Sequence, residues 1–396
     1  MKRVLKAWVG VMVMALALGA ASSVAQEKRA MTFMDIMEMR GVGGGGISPD
    51  GKWVLYTVSI PNWKAGRNFA DIFLAPTDGS APPRQMTFTR EQSESNVEWA
   101  RDSRSFAFAS TREGNSRQIY LMRIDGGEAR KLTEQRDGVN NFSFSRDGKW
   151  LAYSGGRADQ RQLYLIDLST DELKPAQLTR RQTPVNAWSW TDDSARIFFL
   201  SPERVDRTER ERRQKRFDVR ITDPPRIPQH LWSVTVADKS EKRWTSGGDF
   251  TVAGFNLAPD VAHALVRSGS LNRHSSGALE NESELYLLNL ASGDLRRLTE
   301  NKMGEGGAAF SPDSKWISFT AADDFTWGRN SKLYLMPVAG GPLRKMLPDW
   351  DHSVGGINWS RDSKTIYFSE GLGVNNHVFA LDVASGKLTQ LTNETG

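Results

Sequence analysis

The 396-residue chain contains no cysteine, so neither disulfides nor thiolate metal sites contribute to it. Its five histidines, His230, His263, His274, His352 and His377, are scattered, and no pair has the i,i+4 or short-loop spacing of a common zinc site. No Gly-x-Ser-x-Gly nucleophile elbow occurs, nor a Walker phosphate loop or a Rossmann fingerprint. Gly43 to Gly46 lacks the following Lys-Ser/Thr and helix of a phosphate loop and reads as a lead-in to Ile47-Ser-Pro-Asp50. No catalytic, cofactor-binding or metal-binding residue is assigned. After residue 25 no apolar run approaches the length of a membrane span.

The start of the chain has the features of an export signal. Lys2, Arg3 and Lys6 form a basic head, Val11 to Ala21 an apolar stretch, and Ser23-Val24-Ala25 the small residues of a cleavage site. Residues 1–25 are therefore set aside as a signal peptide, 26–44 as a lead-in, and a bacterial periplasmic or secreted location is expected. Of 52 basic residues the signal removes three, leaving 49 against 47 acidic, a formal +2. That balance gives no case for nucleic-acid binding.

What the chain has in quantity is repetition. An aromatic or apolar residue, Ser, a variable residue, Asp and then Gly or Ser lead into a hydrophobic run, as in Phe144-Ser-Arg-Asp-Gly148 and Phe310-Ser-Pro-Asp-Ser314. The turn aspartates are Asp50, Asp102, Asp147, Asp193, Asp260, Asp313 and Asp362, spaced 52, 45, 46, 67, 53 and 49 residues apart. A second beat follows in each unit, such as Gln162-Leu-Tyr-Leu-Ile-Asp-Leu168 with Gln177-Leu-Thr179. Period-two alternation rich in aromatic and branched residues, with Asp-Gly or Asp-Ser between runs, means short strands and tight turns. Four strands fit each unit. One four-stranded sheet cannot cover both of its own faces, and radial closure supplies the neighbours. The expectation is an all-β fold, a β-propeller of about seven four-stranded blades over residues 45–395. None of the turns has the dense acidic loop that calcium requires.

One repeat is expanded. Arg204 to Arg216 holds seven basic and three acidic residues, and the whole insertion, 201–228, accounts for the 67-residue spacing. Two readings stand. It is a solvated excursion, or a lid or docking arm offering Arg204, Arg207, Arg210, Arg212, Arg213 and Arg216 to a carboxylate or an acidic partner. Further expansions at 60–70, 271–281 and 321–330 fall at the same place in their repeats, so all are expected on one rim.

These features together resemble the non-catalytic propeller domain of the prolyl oligopeptidase family, in particular bacterial secreted dipeptidyl- and acylaminoacyl-peptidase-like members. Lys215-Arg-Phe-Asp-Val-Arg-Ile221 followed by His230-Leu-Trp-Ser-Val234 is similar to their expanded fourth blade, and Thr32 to Met39 to their lead-in. The resemblance covers roughly residues 31–395. It implies seven or eight blades in the complete architecture and a propeller that caps an α/β-hydrolase domain and admits short peptides. The sequence ends at Gly396, soon after the last Leu391-Thr392, so the chain is expected to be a truncated gene product, one half of a split gene or a stand-alone descendant, with a separately encoded α/β-hydrolase domain or short peptides as the candidate partners. On this reading the chain alone is without peptidase turnover and without cofactor. The alternative is a stand-alone periplasmic propeller for protein–protein interaction, similar to the translocation propeller of the Tol–Pal system.

Overall fold

The computed structural model describes residues 29–89, 91–204, 211, 215, 227–269, 283–301, 303–326 and 328–393. Residues 1–25, expected to be a signal peptide, most of the charged insertion and the 271–281 expansion lie outside the described residues.

Seven antiparallel four-stranded sheets form seven blades, each from consecutive strands in the order 1-2-3-4. The fold is an all-β, seven-bladed propeller. Blade 1 is Gly41–Ile47, Trp53–Asn62, Arg67–Pro76 and Arg84–Gln85, and blade 7 is Gly355–Trp359, Thr365–Leu372, Asn375–Asp382 and Leu388–Gln390. The first strand of a blade is the innermost: those of blades 1 and 2, 2 and 3, 5 and 6, and 6 and 7 touch one another. The glycine run read as a lead-in is part of blade 1, pairing with the second strand from Gly41↔Ser59 to Ile47↔Val54 with a bulge between Gly43 and Gly45.

The repeated Ser-x-Asp phrase has a mechanical explanation. In blade 1 the Ser48 hydroxyl donates to Asp50 Oδ1 at 2.6 Å and accepts the Trp53 N–H at 3.0 Å. Asp50 also accepts the Lys52 N–H at 3.1 Å. The turn is thus closed by side chains on both arms, and the same pattern returns at Ser145/Asp147, Ser311/Asp313 and Ser360/Asp362. These bonds, from Ser48 first and the Lys52 N–H next, hold Asp50 below the usual carboxylate range.

The residue after the turn aspartate must take a positive φ. Gly51 and Gly148 do so without cost, whereas Ser103, Ser194, Ser314 and Ser363 adopt φ of 56°, 59°, 58° and 61°. Each of these serines is used. Its hydroxyl accepts the N–H of the turn aspartate in the preceding blade: Asp50 to Ser103, Asp147 to Ser194, Asp260 to Ser314 and Asp313 to Ser363, at 3.0–3.1 Å. Serine in place of glycine is therefore an inter-blade clasp.

The Leu-Thr beat closes each blade's outer edge. Thr87, Thr133, Thr179, Thr245, Thr299 and Thr392 accept a backbone N–H of the third strand, from Ile72, Ile119, Leu163, Leu231, Leu285 and Val378, at 2.8–3.0 Å, where a main-chain carbonyl would otherwise be needed. Blade 6 has Leu347 at this place and lacks the clamp.

Apolar burial is concentrated between blades. Six clusters each join two consecutive blades, from Leu55, Ile72 and Leu74 against Trp99, Phe106 and Tyr120 between blades 1 and 2, to Leu333 and Leu335 against Ile366, Phe368 and Phe379 between blades 6 and 7. Closing a ring of seven requires a seventh contact. Among the described residues no such cluster joins blade 7 to blade 1. The strands agree: Ser105–Ser110 of blade 2 is buried throughout, while Thr365–Leu372 of blade 7 buries Ile366 and Phe368 but leaves Tyr367 and Ser369 exposed. Burial on one face and exposure on the other is what a terminal sheet shows.

Candidate functional site

Two ends of the propeller present different chemistry. At one end lie the serine–aspartate turns. At the other, the connection rim, lie the links between second and third strands and the links from one blade to the next. The first strand of blade 1 begins at this rim and, because alternate strands are antiparallel, the fourth strand of blade 7 ends there. The chain therefore enters and leaves the propeller on the same side.

The connection rim carries a band of exposed apolar groups. Trp63 at the blade 1 hairpin is 53% exposed, Phe88 between blades 1 and 2 is 72% exposed, and Val374 at the blade 7 hairpin is 99% exposed. Just before blade 1, a short helix α1 (Phe33–Met37) is held by a capping box between Thr32 and Asp35. Arg29 pairs with Asp35 and, with Thr32, holds that carboxyl well below the usual range. The capped helix buries nothing: Met31, Phe33, Met34, Ile36, Met37 and Met39 are all exposed. Apolar side chains gathered in this density on a surface mark a docking site more often than a solvated one.

Polar groups on the same rim are largely spent on structure. The residue before each third strand's clamped amide is Asp71, Gln118, Gln162, His230, Glu284 or His377, and Lys332 holds the same place in blade 6, which has no clamp. Gln118 and Gln162 accept from Thr133 and Thr179 at 2.9 and 3.0 Å, and His230 Nδ1 lies 3.2 Å from Thr245 Oγ1. Burial first, then Arg243, lower the His230 value. Arg243 pairs with Glu203 and, with Arg181, flanks the Trp232 ring, the two guanidinium carbons lying 5.5 and 3.8 Å from its centroid. Of the arginines proposed as docking groups, Arg204 is described and exposed at the end of this region, while Arg207, Arg210, Arg212, Arg213 and Arg216 lie outside the described residues. No group of three or more His, Asp or Glu side chains able to hold a metal occurs among the described residues.

On the inner strands near the turn end, a cavity of about 430 Å³ is lined by Glu98, Arg101, Asn141, Arg146, Trp188 and their neighbours. Glu98 reaches across from blade 2 to blade 3, where Ser143 Oγ and the Phe144 N–H donate to its Oε1 at 2.9 and 3.1 Å. Burial raises the Glu98 carboxyl despite those bonds and the nearby Arg101 and Arg146. A second cavity of about 460 Å³ continues this trough past Arg101 to Arg361 of blade 7. Sequence reading missed Glu98 because it sits in a first strand, outside the repeated phrase, and its partners belong to the next blade.

Comparisons with known proteins now bear on this geometry. No protein-family model matches the chain. It is 27% identical over 368 residues to dipeptidyl-peptidase 5 of Porphyromonas gingivalis, covering 91% of this chain and 48% of that protein. Among solved structures, a prolyl endopeptidase superposes with a TM-score of 0.59 at 11% identity, over 90% of this chain and 50% of that one. The chain is a seven-bladed propeller structurally related to peptidase-associated propellers. The propeller spans about half the length of the curated dipeptidyl-peptidase relatives it matches. A shorter stretch of 79 residues, 19% of the chain and 18% of that protein, is 38% identical to the Tol–Pal system protein TolB of Francisella tularensis. No helix among the described residues is long and apolar enough to cross a membrane.

Proposed function

We propose that this propeller is the substrate-gating cap of an extracytoplasmic serine peptidase of the prolyl oligopeptidase type, acting with an α/β-hydrolase partner domain. The observation that carries the reading is the coincidence, on one rim, of both ends of the propeller with the band of exposed apolar side chains. A chain that enters and leaves a ring on one side attaches whatever flanks it to that side. The matched half of dipeptidyl-peptidase 5 leaves room in that protein for a second domain of similar size. Trp63, Phe88, Val374 and α1 then form the surface against which the hydrolase packs, and the channel with Glu98, Arg101 and Arg146 receives short peptides. Catalysis belongs to the partner: acyl transfer needs a nucleophile, an oriented base and an oxyanion site together. The arginine-rich insertion, on the same rim in sequence, supplies a docking arm with modest affinity of its own.

The test is a binding titration between this chain and the product of the adjacent downstream reading frame, with Trp63→Ser/Phe88→Ser as the rim variant. A complex weakened at least tenfold in the variant supports the cap reading. Absence of any complex refutes it. The TolB-like stretch supports a second reading, an interaction propeller that uses the same rim, which a complex with a non-hydrolase envelope protein alone would favour.

A further inference from the structure

Hydrogen bonding in blade 5 leaves two buried oxygens unaccounted for. Glu284 stands just before the third strand of blade 5 (Leu285–Asn289), and Glu305 just before the first strand of blade 6 (Gly306–Phe310). They are 4% and 3% exposed. Asn301 ties them together: its N–H donates to Glu284 Oε1 at 2.8 Å and its Nδ2 to Glu305 Oε1 at 2.7 Å. Arg297 Nη2 lies 3.1 Å from the same Glu284 oxygen. Glu284 Oε2 and Glu305 Oε2 are both buried and have no hydrogen-bond partner among the described residues.

Two buried carboxylates with a single arginine leave one negative charge uncompensated, which costs several kcal/mol unless something neutralises it. Either a cation or a proton must do so. A hard cation takes six to eight oxygens, and the two carboxylates with Asn301 fall far short of that. Arg297 also stands where it would repel a second cation. A proton needs only one acceptor beyond its own carboxyl.

We propose that Glu284 and Glu305 share one proton, carried by Glu305, and that the pair, joined through Asn301, clasps blade 5 to blade 6. Arg297 and the Asn301 N–H both bind Glu284 and not the second carboxyl's free oxygen, so the proton is placed on Glu305. The other charged groups at the pair are Arg297 itself and Glu300, which lies 3.6 Å from Arg297 and is mostly exposed; Lys302 lies outside the described residues.

Burial pushes Glu305 up to about 6 from 4.5, opposed by hydrogen bonds from Asn301 and Thr299 and reinforced by Glu284. A carboxyl raised in the folded state gains stability from its proton at low pH. That gain is complete below 4.5, falls as pH rises through 6, and is gone above it. A shift of this size corresponds to at most about a 30-fold change in the folding equilibrium, and nearer tenfold after solvent screening.

The experiment is urea unfolding of the full chain at intervals from pH 4.5 to 8, beside Glu305→Gln, which keeps the shape without the charge. The wild-type folding constant should fall about tenfold more than that of the variant across the window. Carbon-13 NMR of the glutamate carboxyls in the unmodified chain gives an independent reading should the variant not fold. A buried carboxyl titrating near 6 supports the clasp, and one titrating near 4.5 overturns it. Calcium chloride added at pH 8 is the remaining arm: stabilisation of the wild type and not of Glu305→Gln would show a cation in the proton's place and also overturn the proposal.

Discussion

Substituting Thr179 by valine tests whether the Leu-Thr beat is a clamp or merely a habit of the sequence. Thr179 is fully buried; its Oγ1 accepts the Leu163 N–H at 2.9 Å and donates to Gln162 Oε1 at 3.0 Å. Valine fills the same volume and removes both bonds. Gln162 Oε1 keeps the Arg181 N–H at 2.8 Å, so its loss is small. The Leu163 N–H has no replacement inside a dry interface, and an orphaned buried donor costs about 1–3 kcal/mol. Adding the weakened Gln162 bond, Thr179→Val should destabilise the chain by about 2–3 kcal/mol. The internal control is Thr392, which makes the same bond to Val378 at 2.8 Å in blade 7 but is exposed. Water replaces that hydroxyl, and Thr392→Val should cost less than about 0.5 kcal/mol. Urea unfolding followed by tryptophan fluorescence measures both. Equal losses at the two sites, or no loss at Thr179, would refute the clamp.

Three further outcomes are expected. Ser314→Ala removes the clasp to the Asp260 N–H and keeps the strained φ of 58°, whereas Ser314→Gly removes the clasp and relieves that strain; alanine should be the less stable by about 1 kcal/mol in the same assay. Gly45→Ala places a Cβ 1.9 Å from the Leu55 carbonyl oxygen at φ +134°, so it should detach the inner strand of blade 1, seen as loss of amide protection from Gly41 to Ile47 while blades 3 to 5 keep theirs. Native-state hydrogen exchange should find the second and third strands of blade 7 opening before those of blades 2 to 5, because blade 7 has an apolar partner on one face only.

The fold was legible in the sequence because its signal is repeated. Each turn aspartate and each Leu-Thr threonine has a local hydrogen-bonding task, and local tasks leave the same residues at similar spacing in most units. Asp193 shows how robust this is: Thr191 replaces the usual serine and still donates to the aspartate at 2.5 Å. The open flank between blades 7 and 1 was also written in the chain, in the strict alternation of Ile366-Tyr-Phe-Ser369 against the nearly continuous Ile197-Phe-Phe-Leu200 of blade 4, which is buried on both faces. Alternation was read there only as a strand signal. The Glu98 bridge and the Glu284–Glu305 pair were not legible, since each depends on which blade lies next to which and at what height. The glycines from 43 to 46 misled for a related reason. Gly44 and Gly45 hold positive φ at a bulge within a paired strand, and periodicity has no term for a bulge.

The central claim, that this propeller caps a hydrolase partner across the connection rim, is tested most directly by peptidase activity in a reconstituted mixture. The purified chain, the hydrolase sought as the product of the adjacent downstream reading frame and the two combined would be assayed on short peptide amides and with a serine-reactive probe. The account predicts no turnover by the propeller alone and, in the mixture, a preference for short over long substrates that the hydrolase alone does not show. Turnover and probe labelling by the propeller alone, or a mixture no more selective than the hydrolase by itself, would contradict it.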